Sequence, residues 1–326
     1  MIRPCPPLDD AMRTRLEARL GRLHLNQRLG IETDYEARVF GQGRNFFHIE
    51  NWYSIHGWMR GALRLMGVHG RGQRNARAIE CRENRIVLPH LPPAFDGLRI
   101  LHISDLHLDM APDLPQVLLE AVRGVDYDLC VLTGDFRAET FGPYAAALDG
   151  LRRVRVGLGG AVYGVLGNHD TVCMLPGLED MDIRMLMNET VRIERDGSCL
   201  YLSGIDDPHY YRMDNLEKTI CDVPASAVSI LLAHSPEIFR HAAYADFDVL
   251  LCGHTHGGQI CLPGGRPILC NARCPRGLCR GAWRYRQLHG YTSTGSGVCM
   301  VDVRLNCPPE ITVHRLVRGT DPDASA

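Results

Sequence analysis

The chain has 326 residues, of which 45% are hydrophobic and 23% are charged, a composition that indicates a globular protein and excludes a largely disordered one. The formal net charge is −2 and no block of like charge occurs, so electrostatics give no reason to expect a nucleic-acid partner. The sequence contains no run of about 18 apolar residues that could span a membrane. We also expect no cleavable signal peptide, because three prolines interrupt the first ten residues.

The cysteines number 13, and several of them, such as Cys130, lie within apolar runs. We therefore expect most of them to be small buried side chains in a reducing, cytoplasmic setting. Four cysteines occur close together, namely Cys261, Cys270, Cys274 and Cys279. Their spacing lacks the paired Cys-x2-Cys pattern that is usual for zinc, so we expect structural cysteines, with a further metal site or a redox role as the alternative.

Residues 1–77 are predicted to form a helical extension. Asp9 or Asp10 can cap a first helix that runs to about Leu29. In residues 45–68, apolar and aromatic side chains recur at helical spacing among arginines. This pattern suits a helix in a membrane interface, which would place the protein peripherally on the inner membrane. The alternative is a helix that docks on the rest of the chain or on a second subunit.

Strands and helices alternate from residue 78 to about residue 318. Apolar strands are expected at residues 98–104, 128–133, 161–166, 228–233 and 246–252, with helices between the first three at residues 114–122 and 144–151. This alternation predicts a layered α/β domain with its site at the strand ends. Residues 319–326 are expected to form a flexible tail.

Polar residues that an apolar sheet does not need follow the predicted strands. They are Asp105 and His107, Asp135, Asn168 with His169 and Asp170, His234, and the pair His254 and His256. Such a mixture of carboxylate, amide and imidazole ligands suits two divalent ions better than one structural zinc. Two ions about 3.5–4 Å apart, bridged by a carboxylate, can clamp a phosphoryl group and lower the pKa of a water. Asp135 follows a strand and a short glycine turn, which suits a bridging role.

The order of these blocks resembles that of the calcineurin-like metallophosphoesterases: Asp-x-His, Gly-Asp, Gly-Asn-His-Asp, a single His, then Gly-His-x-His. The resemblance covers roughly residues 97–316, and the last block, Gly-His-Thr-His-Gly-Gly-Gln, is similar to that of a bacterial subgroup. That subgroup includes membrane-associated phosphodiesterases and UDP-2,3-diacylglucosamine pyrophosphatases of lipid A synthesis. The resemblance implies an α/β fold, a four-layer αββα sandwich, here with the helical N-terminal extension.

The resemblance also implies a role for each site residue. Asp105, His107 and His256 would hold one ion, Asn168, His234 and His254 would hold the other, and Asp135 would bridge the two. His169 would protonate the leaving oxygen or steady the phosphate, and Asp170 would orient His169. We expect Mn²⁺ as the ion, with Fe²⁺ or Zn²⁺ as alternatives, because all three accept this ligand set.

The sequence departs from the family pattern after Asp135, where Ala138 replaces the usual second acid of Gly-Asp-x-x-Asp. That acid is usually not a metal ligand, so we still expect activity. Arg137, in the same turn, is a candidate for binding a substrate phosphate, and a surface salt bridge is the alternative.

We therefore expect an enzyme that hydrolyses a phosphodiester or pyrophosphate bond by a metal-activated water. A lipid-linked substrate such as UDP-2,3-diacylglucosamine is favoured if residues 45–68 contact a membrane, and a soluble diester is as plausible if they dock. From a different class, the chain could be a catalytically silent scaffold, although such proteins typically lose ligands that are all present here. A third hypothesis makes the cysteine-rich loop a metal-holding interaction module. His90, His102 and His289 are expected to lie outside the site.

Overall fold

The computed structural model describes residues 8–40 and 53–320, without the side chains of residues 38–40 and 53–56. The described part of the chain begins with two helices, α1 (Asp10–Leu20) and α2 (Arg22–Phe40). Asp9 caps α1 as predicted, since its side chain accepts a hydrogen bond from the backbone N–H of Met12 at 2.7 Å. The prediction of one helix ending near Leu29 is wrong, because Gly21 takes a φ of 81° and ends α1, while α2 continues to Phe40.

The helices α1 and α2 pack against the rest of the protein. Leu16 and Leu25 are fully buried and belong to the largest apolar cluster. Arg28 is also fully buried, and its guanidinium lies 2.8 Å from Glu32, 3.3 Å from Asp206 and 3.3 Å from the centre of a tyrosine ring. The extension is therefore tied to the α/β layers by both apolar and ionic contacts.

Two more helices follow, α3 (Tyr53–Leu65) and α4 (His69–Arg77). The segment predicted at residues 45–68 lies partly outside the described residues. Its described part docks, because Leu63 is buried against Val301, Val303 and Leu305. The opposite side of α3 faces solvent, where Trp58 is 81% exposed. Within the described ranges no helix combines the length and the apolarity needed to cross a bilayer.

The first of two six-stranded sheets has the order β1-β14-β2-β3-β4-β5. Its strands are β1 (Glu80–Leu88), β2 (Arg99–Ile103), β3 (Leu129–Leu132), β4 (Ala161–Gly164), β5 (Ile183–Met185) and β14 (Glu310–Arg318). Strands β2 to β5 run parallel, as their connecting helices α5 (Leu114–Val122), α6 (Ala145–Arg155) and α7 (Leu175–Glu179) require. Strand β14 pairs antiparallel with β2 and parallel with β1.

The second sheet has the order β12-β13-β9-β8-β7-β6. Its strands are β6 (Glu189–Arg195), β7 (Ser198–Gly204), β8 (Ser229–Leu232), β9 (Val249–Cys252), β12 (Gly281–Tyr285) and β13 (Leu288–Thr292), with the helices α8 (Leu216–Ile220) and α9 (Phe239–Tyr244) between them. Strands β7, β8, β9 and β13 run parallel. A short hairpin of β10 (Cys261–Leu262) and β11 (Arg266–Pro267) follows β9.

The two sheets face each other across a common apolar core. Ile100 and Val131 from the first sheet pack in one cluster with Leu202, Ile230 and Leu251 from the second. The other face of the first sheet packs on α1, α5, α6 and α7, and the other face of the second packs on α9. This arrangement confirms the predicted four-layer αββα sandwich.

The cysteine-rich segment contains one disulfide, between Cys270 and Cys279, a pairing that the sequence analysis did not predict. The Cys274 sulfur lies 4.0 Å from that of Cys279. Cys130 and Cys261 are free and buried, so they act as small core side chains, as predicted.

Candidate metal centre

All the predicted ligand residues lie just beyond the carboxyl ends of strands. Asp105 and His107 follow β2, Asp135 follows β3, Asn168, His169 and Asp170 follow β4, His234 follows β8, and His254 and His256 follow β9. Every one of these side chains is buried. The contacts described below bring them together at the edge of the sandwich where both sheets end.

Sharp turns of the backbone aim these side chains into the site. Asp105, His107, Asp135, His254 and His256 all have positive φ, between 41° and 70°. This conformation is unfavourable for residues with a Cβ, and such strain is typical of functional sites. The turn before Asp135 needs a glycine, because at Gly134 a Cβ would lie 2.5 Å from a backbone nitrogen of the next turn.

One group of ligands consists of Asp105, His107 and His256. The Nε2 atoms of the two histidines are 3.1 Å apart, and His256 Nε2 is 3.4 Å from Asp105 Oδ1. His107 Nδ1 donates to the carbonyl of Arg137 at 2.7 Å, so the lone pair of Nε2 faces the site. The ring of His256 is held by Arg304, whose Nη2 lies 3.2 Å from Nδ1.

The second group consists of Asn168, His234 and His254. His234 Nε2 is 2.9 Å from Asn168 Oδ1, and its Nδ1 faces the carbonyl of Thr133 at 2.7 Å. His254 Nε2 and Asn168 Nδ2 are buried and have no hydrogen-bond partner among the described residues. Buried polar atoms are normally paired, so these two indicate a site built for a further group.

Asp135 lies between the two groups. Its Oδ2 is 3.2 Å from His234 Nε2 and 3.8 Å from His107 Nε2, and its Oδ1 accepts the backbone N–H of His169 at 2.9 Å. Asp135 and His234 form the closest pair. Burial disfavours the charged form of each side chain, but the attraction between the two charges outweighs that cost. The pKa of His234 is raised to about 10, and the pKa of Asp135 is held well below its usual range by the charge and hydrogen bond of His234.

His169 lies beside the two groups. Its Nε2 is 4.0 Å from Asp135 Oδ2, and its Nδ1 is 3.3 Å from the hydroxyl of Thr140. Burial lowers the pKa of His169 to about 3, although the Asp135 carboxylate opposes this effect. The imidazole is therefore neutral and can donate one hydrogen bond.

Asp170 does not hold the ring of His169, which corrects the expected role. Its carboxylate accepts three backbone N–H groups, from Asp135 at 2.8 Å, Phe136 at 2.9 Å and Gly167 at 2.8 Å. Burial, followed by the charge of Asp135, raises the pKa of Asp170 to about 6. Asp170 thus fixes the backbone of two turns rather than a side chain.

Arg137 is buried, so the alternative of a surface salt bridge is wrong. Its guanidinium donates to three backbone carbonyls, those of His169, Thr140 and Gly142. These contacts favour a role in holding the His169 turn, and phosphate binding by Arg137 stays a prediction.

Sequence reasoning missed several residues around the site. Arg304 is fully buried, and Cys299 has its sulfur 3.9 Å from His169 Nε2. The centre of the His209 ring lies 4.1 Å from that of His254, with the two rings tilted by 46°, and His209 Nδ1 is 3.0 Å from the Glu237 carboxylate. None of these residues belongs to a local motif, so only the three-dimensional structure shows that they lie near the site.

The chain matches known proteins over most of its α/β layers. The calcineurin-like phosphoesterase family matches residues 98–258. Over 234 residues the chain is 31% identical to the uncharacterized metallophosphoesterase YkoQ of Bacillus subtilis, covering 69% of this chain and 85% of YkoQ. The chain belongs to the calcineurin-like metallophosphoesterase family.

Two further relatives agree with this membership. The metallophosphoesterase is 30% identical to the uncharacterized metallophosphoesterase YkuE of Bacillus subtilis, with 78% of this chain and 92% of YkuE covered. It is 28% identical to phosphodiesterase YaeI of Escherichia coli, with 67% of this chain and 82% of YaeI covered. The protein is accordingly a metal-dependent phosphoric ester hydrolase.

Members of this family use a dinuclear divalent metal centre, and the metallophosphoesterase has the clusters that could hold one. Ligand atoms within 4.8 Å of one another come from Asp105, His107 and Asp135, from Asp135, His234 and His254, and from His107, His256 and Cys299. The converging Nε2 atoms and the unpaired His254 Nε2 fit such a centre. Hard and borderline ligands in this mixture suit divalent ions.

A cavity of about 330 Å³ opens directly over these clusters. Asp135, His169, His254 and His256 contribute to its lining. The rest of the wall is mainly apolar and comes from Met59, Ile260, Ile268, Leu269, Met300 and Val301. The metallophosphoesterase therefore presents a polar site at one end of an apolar cavity.

Proposed function

We propose that the protein hydrolyses a phosphodiester or pyrophosphate bond at a dinuclear metal centre. The observation that supports this proposal is the position of Asp135, whose Oδ2 lies 3.2 Å from His234 Nε2 in one group and 3.8 Å from His107 Nε2 in the other. A carboxylate shared by two clusters of ligands suits a bridge between two ions. Residues 78–318 would form this catalytic domain.

Each group would hold one ion. Asp105, His107 and His256 would bind the first, Asn168, His234 and His254 would bind the second, and Asp135 would bridge them. The hydrogen bonds of His107 Nδ1 and His234 Nδ1 to backbone carbonyls leave both Nε2 atoms directed at the site. Mn²⁺ is the default ion for this set, with Fe²⁺ and Zn²⁺ as alternatives.

The two ions would supply positive charge beside the phosphoryl oxygens and a water of lowered pKa. His169 Nδ1 lies 3.3 Å from the Thr140 hydroxyl. With that hydroxyl as the donor, the ring proton would be on Nε2, and His169 would contact the substrate through Nε2–H. In that position the neutral ring steadies the phosphate or donates to the leaving oxygen. A silent scaffold is disfavoured, since every expected ligand is gathered in the site.

The test is hydrolysis of bis(p-nitrophenyl) phosphate together with metal analysis of the purified protein. The wild type should contain two ions per chain and lose hydrolysis on chelation. Asp135→Asn should lose both ions and the activity, whereas Asp182→Asn, whose side chain is 98% exposed, should keep both. An Asp135→Asn protein with two ions and full activity would refute the shared bridge.

A lipid-linked substrate is the second candidate, and the apolar cavity over the site supports it. Burial of acyl groups there contributes roughly 25 cal/mol for each Å² of apolar surface removed from water. Release of UMP from UDP-2,3-diacylglucosamine by the wild type would establish a pyrophosphatase of lipid A synthesis. If this substrate is inert while bis(p-nitrophenyl) phosphate is cleaved, the proposal becomes hydrolysis of a soluble diester, and the relative YaeI is likewise named a phosphodiesterase.

Peripheral membrane contact is the companion proposal, with a location on the cytoplasmic face of the inner membrane. The exposed side of α3 carries Trp58 and Leu65, which are 81% and 91% exposed, beside the exposed Arg64. Apolar side chains flanked by arginine suit an interface between lipid head groups and acyl chains. Sedimentation with anionic vesicles by the wild type, but not by Trp58→Ser/Leu65→Ser, supports the contact, and equal sedimentation contradicts it.

A further inference from the structure

Cys299 lies in the segment between β13 and β14, at the mouth of the metal site. Its sulfur and the ligand nitrogens of His107 and His256 all lie within 4.8 Å of one another. The same sulfur is 3.9 Å from His169 Nε2. This cysteine matches no motif of the sequence, yet it shares a cluster with two histidines that would bind the first ion.

The backbone around Cys299 is held in place by Gln259. The Gln259 side chain accepts the backbone N–H of Cys299 at 2.8 Å and donates to the carbonyls of Cys299 at 2.8 Å and Val301 at 3.0 Å. Gln259 itself ends the turn that carries His254 and His256. The histidines and the cysteine are therefore fixed relative to each other by one amide side chain.

We propose that Cys299 is an additional ligand of the first metal ion, bound as a thiolate beside His107 and His256. The proposal rests on the dinuclear centre proposed above. When the sulfur binds the ion, its proton is released to solvent and no other bond changes. A site of carboxylate, imidazole and thiolate is softer than one of carboxylate and imidazole alone.

The added thiolate changes which ion the site prefers. Thiolate sulfur favours Zn²⁺, Fe²⁺ or Co²⁺ over Mn²⁺ and Mg²⁺, which prefer oxygen ligands. Removal of an outer partner of a metal ligand typically costs about 10–100-fold in affinity, so loss of a direct sulfur ligand should weaken Zn²⁺ binding at least that much. The affinity for Mn²⁺ should change far less.

The test is titration of the metal-free full-length protein with Co²⁺, followed by absorption spectroscopy. A cobalt–thiolate bond gives a charge-transfer band in the near ultraviolet, while the visible bands report cobalt in the site as a whole. The wild type should show both. Cys299→Ser should keep the visible bands and lose the charge-transfer band that belongs to the centre.

Matched variants distinguish the spectroscopic effect of losing Cys299 from that of losing another cysteine and from that of losing the metal centre. Cys199→Ser removes a half-buried thiol on β7 and should leave the charge-transfer band unchanged. Asp135→Asn should abolish visible and charge-transfer bands together. Cys299→Ala provides a second substitution if serine disturbs folding, which far-ultraviolet circular dichroism will show.

Two different results would overturn the proposal. If Cys299→Ser and the wild type give identical spectra and the same ratio of Zn²⁺ to Mn²⁺ affinity, Cys299 is not a ligand, although the dinuclear centre stands. If the wild type binds no more cobalt than Asp135→Asn does, the proposal of a dinuclear centre is wrong. The proposal of a thiolate ligand is then wrong as well.

Discussion

The carboxylate of Asp170 accepts the backbone N–H of Asp135 at 2.8 Å and thereby joins the turn after β4 to the turn after β3. The same carboxylate accepts the N–H of Phe136 at 2.9 Å. Because Asp135 has a φ of 57°, this turn is strained and depends on such contacts. Asp135, the proposed bridging ligand, is thus positioned by a residue that the sequence analysis had connected with His169.

Asp170→Asn should therefore lower both stability and metal affinity. The amide has one acceptor oxygen, and its NH₂ group would face backbone N–H donors, which leaves at least one of them unpaired at a cost of about 1–3 kcal/mol. We expect a lower free energy of unfolding in urea and a weaker second ion in metal analysis. Asp182→Asn is the exposed control, and equal losses in both variants would contradict the assigned role.

Arg28 should be needed for the extension to pack on the α/β layers. Its buried guanidinium pairs with Asp206 at 3.3 Å and Glu32 at 2.8 Å, and its Nη2 donates to the carbonyl of Asp170 at 3.0 Å. Arg28→Ala removes the buried cation that faces Asp206 and Glu32, and breaking a buried ion pair typically costs about 3–5 kcal/mol. Urea unfolding measures the loss, and Arg22→Ala on the exposed side of the same helix should cost far less.

His102 should make the stability depend on pH. It is fully buried between the Thr133 hydroxyl at 2.8 Å and His314 Nε2 at 3.2 Å, and burial lowers its pKa to about 3. Because the unfolded chain binds this proton near pH 6.5 and the folded chain does not, stability falls as the pH drops from about 6.5 towards 3. Between pH 7.5 and 5, the free energy of unfolding should fall by about 2 kcal/mol less in His102→Gln than in the wild type.

The measurement is urea unfolding of the metal-free protein at both pH values. His314→Gln should act in the same direction, since burial also lowers the pKa of His314 well below its usual range. An unchanged pH dependence in both variants would show that these histidines do not drive the loss of stability in acid.

The apolar wall of the cavity should matter for an amphiphilic substrate. Leu269 lines the cavity, whereas Leu262 lies on the neighbouring hairpin outside it, and the two are 56% and 53% exposed. Leu269→Asp should lower kcat/KM for UDP-2,3-diacylglucosamine by about tenfold relative to bis(p-nitrophenyl) phosphate. Leu262→Asp should not change that ratio, and equal effects of the two changes would argue against an acyl site in the cavity.

The sequence identified residues that the structure brings together where the signal is local. Asp105 and His107, two residues apart after a strand, and His254 and His256 in a glycine turn are recognisable from spacing alone. The sandwich followed from the alternation of strands and helices together with the family resemblance. These features can be predicted from neighbouring residues and from the order of the motifs along the chain.

The rest depends on contacts between distant segments. The Asp170 carboxylate accepts the backbone N–H of Asp135, which is 35 residues away in the sequence. Arg28 pairs with Asp206, which is also distant in the sequence. Cys299 reaches the site through the Gln259 hydrogen bonds. The break at Gly21 was missed because a single glycine is tolerated within a helix and does not by itself predict where the helix ends.

The most direct test of the central claim compares wild type with His169→Ala, measuring metal content and hydrolysis of bis(p-nitrophenyl) phosphate on the same samples. Because His169 lies beside the ligands without belonging to either group, the variant should keep two ions per chain. Loss of its hydrogen bond to the substrate should lower kcat by about 10²–10⁴-fold. Full turnover in a metal-loaded His169→Ala protein would contradict the account.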